Sequence, residues 1–459
     1  MLALRRLRGA KLPPGAAAVS RPPRAWGAPG PGQVGEGRAR EAAAVAWWRQ
    51  RRLSSTGRAT EFLQCEDADL TESQRTVREA IGKICRRFPD EYWLEQERAK
   101  RFPTELCEAL AEGGWLGICL PEAYGGSGLG LAEAAVMMQT IAESGGGMAA
   151  ASAVHINIFG LEPVVRFGTE EQKRRFLPPL AAGRERACFA VTEPDAGLDT
   201  LRLRSRARRD PDDDAFYLLS GHKTWISTAQ RAHKILILVR TAPPDRVGSR
   251  PADGLTLFYT DLRPGLPVEV REIDKMGRAA VDSNAVLFDG WRVPAADRIG
   301  AEGQGFRIIM HGMNAERVLI GMEALGLGFA AVRRAAAYAR DRVVFGRPIG
   351  QNQAIQHPLA DSWMHLEAAR LLLLRAAALY DAGHDAVAEY ANAGKYLAAE
   401  AAFTACERAV MAHGGMGYAR EYHVERYLRE ALIPRIAPVS REMICNYIGQ
   451  RVLGLPKSY

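Results

Sequence analysis

The hydrophobic period of this 459-residue chain changes twice, and no other feature narrows the fold so much. From about 70 to 180, apolar residues recur at helical spacing. Capping boxes open that block at "TESQ" (71–74) and "TEEQ" (169–172), each a Thr N-cap with Gln three residues on. "PEAYGGSGLGL" is a Gly-rich interruption between its helices. From about 187 to 296 the runs are short, β-branched and aromatic: "CFAVTE", "AFYLLSGHKTWIS", "HKILILVRT", "GLTLFYTDL", "VEVREI" and "NAVLFDGWRVP". Strands that follow one another with no helix between them predict an antiparallel sheet or barrel. No G-x-G-x-x-G follows a strand and opens a helix, which argues against a dinucleotide-binding Rossmann unit. From about 303 onward the chain is Ala-rich and helical again, long enough for a bundle. The expected class is therefore α+β, in three blocks: 62–184 helical, 185–297 antiparallel β, 301–459 helical.

The net charge of +8 suggests a nucleic-acid partner until its location is examined. Residues 1–53 hold ten Arg and one Lys against Glu36 and Glu41, a balance of +9, so the rest of the chain carries about −1. The basicity belongs to the leader, and no nucleic-acid partner is expected. An Arg-, Ala-, Pro- and Gly-rich leader ending "WWRQRRLSST" predicts a mitochondrial transit peptide over 1–53, hence a matrix protein; a disordered basic tail is the alternative. No uninterrupted apolar run reaches the ~18–20 residues of a membrane span, so no transmembrane segment is expected. The seven cysteines form no C-x-x-C pair, so neither a metal site nor a disulfide framework is predicted.

In and just before "HGMNAERVLIGMEALG" (311–326), Ile309, Met313, Glu316 and Ile320 fall on one helical stripe. The residues three and four away from Glu316 are Gly312, Met313, Leu319 and Ile320, none cationic. A carboxyl in that setting is either a structural Glu paired to a distant Arg or a desolvated acid of raised pKa, the condition a general base near neutrality needs.

Four segments together resemble the acyl-CoA dehydrogenase family: "CFAVTEPDAGLDT" (188–200), "GHKTWIS" (221–227), "RVVFGRPIGQNQAIQHPLAD" (342–361) and "MAHGGMGYAREYHVERYLREA" (411–431). The resemblance covers essentially everything after the leader. It implies a helical N-terminal domain, a central β domain, a C-terminal four-helix bundle, FAD, and a homotetramer built as a dimer of dimers. Val191 and Thr192 match positions at the edge of the isoalloxazine ring, Trp225 a wall beside it with Ile226 next, and Ser227 a contact near flavin N5. Arg342, Phe345 and Gln353 match contacts to the ADP half of FAD on a neighbouring subunit. Gly414 and Gly415 let backbone approach the cofactor, and Ser440 belongs to the same set. Read without the resemblance, Thr192 and Trp225 are ordinary cross-strand residues and "HGGMG" a helix–helix turn.

The implied reaction is α,β-dehydrogenation of an acyl-CoA to trans-2-enoyl-CoA, with electrons passed to electron-transferring flavoprotein. Many members carry the base in a "Y-E-G-T" segment. Here "APVS" (437–440) takes its place, and Pro438 stands where that Glu would be. Glu316 matches the alternate base position of isovaleryl- and long-chain-type members, with Asn314 and Arg317 beside it facing the CoA moiety. Leu198, Met411 and Ser227 depart from the commoner Ser, Gln and Thr. Two further readings are an inactive scaffold of the same fold and an oxygen-using oxidase. Acyl chain length and branching are not legible.

Overall fold

The computed structural model describes residues 69–243 and 250–458, and the chain from Leu70 onward forms one compact unit. The leader predicted over 1–53 and Cys65 lie outside the described residues.

Thr71 caps the first helix, α1 (Glu72–Cys85), through a reciprocal bond with Gln74. Its buried residues, Gln74, Val77, Ile81 and Cys85, repeat every three or four positions, as one apolar face requires. Two short helices follow, α2 (Asp90–Ala99) and α3 (Thr104–Glu112), then α4 (Leu131–Ile141), α5 (Gly147–Phe159), α6 (Glu162–Phe167) and α7 (Glu170–Ala181). The second capping box, Thr169 with Gln172, opens α7 as predicted. The stretch Leu131–Phe167 is long and apolar enough by composition to cross a membrane. Yet 82% of its most apolar window is buried inside the protein, and Gly145 (φ 111°) and Gly147 (φ 61°) break it. Arg426 closes that break by donating to the carbonyls of Gly145 (2.6 Å) and Gly146 (3.1 Å). Glu430 accepts from the amide of Met148 at 2.7 Å.

The β block contains β1 (Ala187–Ala190), β2 (Arg206–Arg209), β3 (Phe216–Ser227), β4 (Lys234–Arg240), β5 (Leu255–Asp261), β6 (Val268–Glu272), β7 (Ser283–Pro294) and β8 (Arg298–Ile299). The order across the sheet is β6-β7-β3-β2-β4-β5-β8, with β1 beside β4. Most ladders are antiparallel as predicted, but β1 and β2 meet β4 in parallel. Strand β2, "RARR", was missed: its only buried residue is Ala207, so no apolar alternation announces it. Every residue of β4 is buried, the strand that "HKILILVRT" predicted.

The last block is three long helices, α8 (Gly305–Asp341), α9 (Gln353–Asp381) and α10 (Val387–His413), with a small hairpin, β9 (Val343–Val344) and β10 (Arg347–Pro348), after α8. In place of one long fourth helix, short pieces pack on α8 and α10: α11 (Val424–Glu430), α12 (Ile433–Ile436) and α13 (Arg441–Tyr447). Asp381 at the end of α9 caps α4, accepting from the amides of Leu131 (2.7 Å) and Ala132 (3.0 Å), and so ties the first block to the last.

Helix α8 is buried on nearly all sides from Val318 to Val332. Three glycines inside it permit that. A Cβ on Gly321 would lie 2.7 Å from Leu373, on Gly328 2.6 Å from Leu366, and on Gly326 2.3 Å from the carbonyl oxygen of Gln139 on α4. In an open helix Gly→Ala gains about 1 kcal/mol. At Gly326 the new methyl meets backbone that cannot yield, and overpacking there, about 1–3 kcal/mol, outweighs that gain. Gly326→Ala should therefore lower the thermal midpoint; an unchanged or raised midpoint in a melting scan would refute the close packing of α8 on α4.

Candidate active site

The site is built on the segment after β1, on the C-terminal end of β3 and on α8. The segment after β1 is fixed by a buried ion pair: Lys223 Nζ meets Glu193 Oε1 at 2.9 Å and also donates to the Val191 carbonyl at 3.0 Å. Both side chains are nearly inaccessible, and Glu193 also accepts from the amides of Arg204 (2.7 Å) and Ser205 (3.0 Å). Burial lowers Lys223 to about 8, with Glu193 opposing it. For Glu193 burial acts upward, but Lys223 and the amide donors win and hold the carboxyl below its usual value. The Thr192 carbonyl accepts from the amide of Thr224 at 2.9 Å. Val191 and Thr192 are thus presented rigidly and half-buried.

Beside them β3 slips register against β7 between Lys223 and Ile226. Within the slip, Trp225 adopts a left-handed backbone (φ 61°) that bulky residues rarely take, and its side chain is 57% exposed. Ile226 is buried, its carbonyl held by Asn284 Nδ2 at 3.0 Å. Ser227 accepts from Arg278 Nη2 at 3.1 Å. Leu198, where the resemblance expects a serine, is also exposed, at 55%. An exposed aromatic wall, a hydroxyl beside it and a rigid backbone edge fit a flat heteroaromatic cofactor.

On α8, Glu316 is partly buried and its Oε2 is buried without a hydrogen-bond partner. Desolvation raises it to about 7, outweighing His155, Arg317 and Lys395, which pull it down; Glu323 adds to the rise. One face of α5 meets this stripe: His155 Nδ1 is in close contact with Glu323 Oε1. Burial works against an imidazolium there, but Glu323 outweighs it and holds His155 above its usual value. Arg317 is only 8% exposed; its Nη1 donates to Asn314 Oδ1 at 2.9 Å and its Nε is unpartnered. The pair expected to meet CoA is therefore a buried cation and its acceptor, beside the carboxyl. Lys395 of α10, 1% exposed, donates to the Val439 carbonyl at 2.9 Å, and burial lowers it to about 8. Val439 has φ 65°, a strained position for a β-branched residue.

The remaining predicted residues stand apart. Arg342 and Gln353 are exposed, and Phe345, at the hairpin tip with φ 54°, is 100% exposed. Added Cβ atoms on Gly414 or Gly415 would meet nothing within 4 Å. Ser440 caps α13, accepting from the amide of Met443. Sequence reasoning missed Lys223, Glu193, Arg278, His155, Glu323 and Lys395. Lys395 had a signal: it interrupts an Ala- and Gly-rich helical stripe as Glu316 does. Arg278 had none, being one basic residue among many in a loop.

Family models match in chain order: Acyl-CoA dehydrogenase, N-terminal domain, at 71–184; middle domain, at 188–291; and C-terminal domain, at 303–453. The chain belongs to the acyl-CoA dehydrogenase family. Acyl-CoA dehydrogenase FadE12 of Mycobacterium tuberculosis is 36% identical over 396 residues, covering 85% of this chain and 98% of that protein. The mitochondrial short-chain specific acyl-CoA dehydrogenase of Bos taurus is 33% identical over 374 residues, 81% of this chain and 88% of that protein. The butyryl-CoA dehydrogenase structure from Megasphaera elsdenii superposes with a TM-score of 0.78 at 30% identity, covering 84% of this chain and all of that one. This acyl-CoA dehydrogenase is an FAD-dependent oxidoreductase. Its Lys223–Glu193 pair makes a direct prediction. Lys223→Met leaves the Glu193 carboxylate buried without its cation, which costs about 3–5 kcal/mol, so urea should unfold the variant at a much lower midpoint. A loss under about 1 kcal/mol would mean that water reaches the pair.

Proposed function

We propose that Glu316 is the base that removes the α-proton of an acyl-CoA thioester, giving trans-2-enoyl-CoA, with electrons passing to an electron-transferring flavoprotein. The observation that carries this reading is the unpartnered Glu316 carboxyl, raised to about 7 by desolvation, in a chain with Pro438 at the other base position. At neutral pH about half of such carboxyls are ionised, so the group can take a proton and later release it. Its cationic neighbours, His155, Arg317 and Lys395, keep the ionised form accessible although burial disfavours it. FAD, when bound, supplies the two-electron acceptor for the β-hydrogen. The rigid Val191–Thr192 edge and the turned-out Trp225 support the cofactor's placement at the C-terminal end of β3. Exposed Val343, Val344 and Phe345 on the hairpin support a shared cofactor site in a dimer of dimers. The charge of residues 1–53 supports an import signal, tested by fusing them to a reporter and locating it.

Glu316→Gln should keep FAD and lose bleaching by acyl-CoA by about 10²–10⁴-fold. Bleaching at the normal rate would move the base elsewhere. Reduced protein that stays bleached in air until an electron acceptor is added separates a dehydrogenase from an oxidase. The wild-type reduction rate should rise through pH ~7 as Glu316 ionises. The same shift predicts a stability signature. A carboxyl raised in the folded state contributes stability below its unfolded value and loses it as pH rises through about 7. Glu316→Gln should therefore be more stable than wild type at pH 8, by up to about 3 kcal/mol, with little difference at pH 5. Equal stability at both pH values in denaturant titrations contradicts the desolvated carboxyl.

A further inference from the structure

Between β6 and β7, Arg278 reaches inward from a left-handed backbone position (φ 57°). Its Nη1 donates to Ser152 Oγ on α5 at 3.0 Å, and its Nη2 to Ser227 Oγ at 3.1 Å and Ser283 Oγ at 2.9 Å. All three partners are neutral hydroxyls, and its Nε is buried with no partner at all. The acids whose charge reaches it are Glu430, Glu323 and Asp282. Each is already engaged: Glu430 by Arg426 and the Met148 amide, Glu323 by His155, and Asp282 by Asn284 and the Gln230 amide. The guanidinium is therefore held partly buried without a contacting counter-charge, an arrangement that costs stability unless something negative completes it.

A guanidinium can only donate. Ser227 must spend a lone pair on it, so the serine's own O–H is left to point elsewhere. Ser227 is half-buried at the end of β3 beside Trp225. We propose that Arg278 is a positioning residue for the flavin: it fixes the Ser227 hydroxyl as a donor toward the ring and sets an uncompensated positive charge behind it, favouring the ring that has received two electrons. This rests on the reading that Ser227 faces the flavin near N5. Charge near that part of the ring is a recognised means by which a protein tunes flavin electronics. The chain thereby makes the acceptor more oxidising without any residue of its own undergoing chemistry.

Arg278→Gln keeps donors for the serines and removes the charge; Arg278→Lys keeps the charge and loses the fork. The midpoint potential of bound FAD, measured against reference dyes, should fall in Arg278→Gln by about 30 mV, the equivalent of a tenfold weaker two-electron reduction. Arg278→Lys should stay within about threefold of wild type. Equal potentials in wild type and Arg278→Gln, or equal shifts in Gln and Lys variants, overturn the proposal in favour of a structural cross-link. Ser227→Ala, which any such fold accommodates, should weaken FAD binding to the apoprotein about tenfold by flavin fluorescence; unchanged affinity also overturns it. A wild-type protein that takes up no FAD defeats the proposed function and this inference together. A yellow, acyl-CoA-bleached protein with no potential shift in Arg278→Gln defeats this inference alone.

Discussion

Close packing around one helix is the constraint on which the rest depends. Helix α8 runs through the middle of the described structure, touching α4 and α5 on one side and α9 and α10 on the other. It can do so because Gly321, Gly326 and Gly328 remove the side chains that would hold its neighbours away. Dense packing also excludes water from the turn before those glycines, where Glu316 lies. The elevated carboxyl at 316 is thus a consequence of the glycine-lined interior further along the same helix: a looser interior would let water in and return the acid to its ordinary range.

The same exclusion explains how charge is distributed in the interior. Lys223 and Glu193 neutralise one another toward the end of β3. His155 and Glu323 do so under α8. Arg426 and Glu430 do so at the break between α4 and α5. Against these pairs, several partly or fully buried charges have no contacting counter-charge: the Glu316 carboxyl, the Arg278 and Arg317 guanidiniums, and the Lys395 ammonium, which meets only a carbonyl. Paired buried charges fix backbone, while unpaired ones keep their electrostatic potential for something else.

Much of the architecture was legible because period and capping are local signals. The helical and β blocks, both capping boxes and the fully buried β4 follow from spacing and residue type alone. Strand β2 was not legible, since a basic strand with one buried residue carries no alternation. Nor was the breakup of the final helical layer into short pieces, which depends on how "IPRIAPVS" packs and not on propensity. At the site, Glu316 could be found because a lone acid on an apolar stripe conflicts with its local pattern. Lys223, Arg278 and His155 could not, because their significance lies in partners 30, 126 and 168 residues away in the chain: Glu193 for Lys223, Ser152 for Arg278 and Glu323 for His155.

The "APVS" segment joins these threads. By the resemblance, Pro438 stands where many family members carry a Glu, and a second carboxyl beside Glu316 would raise one of the two by like-charge repulsion. For Glu316 burial is the largest influence, Glu323 adds to the rise, and His155, Arg317 and Lys395 oppose it. The segment is nonetheless held firmly, by Lys395 on the Val439 carbonyl and by Ser440 capping α13. Val439 tolerates a left-handed backbone where glycine would sit without strain. A segment with no further role would be expected to relax that strain, since it costs on the order of 1–3 kcal/mol. The strained segment is tied to Lys395, whose charge reaches Glu316, so its backbone geometry bears on the surroundings of that carboxyl.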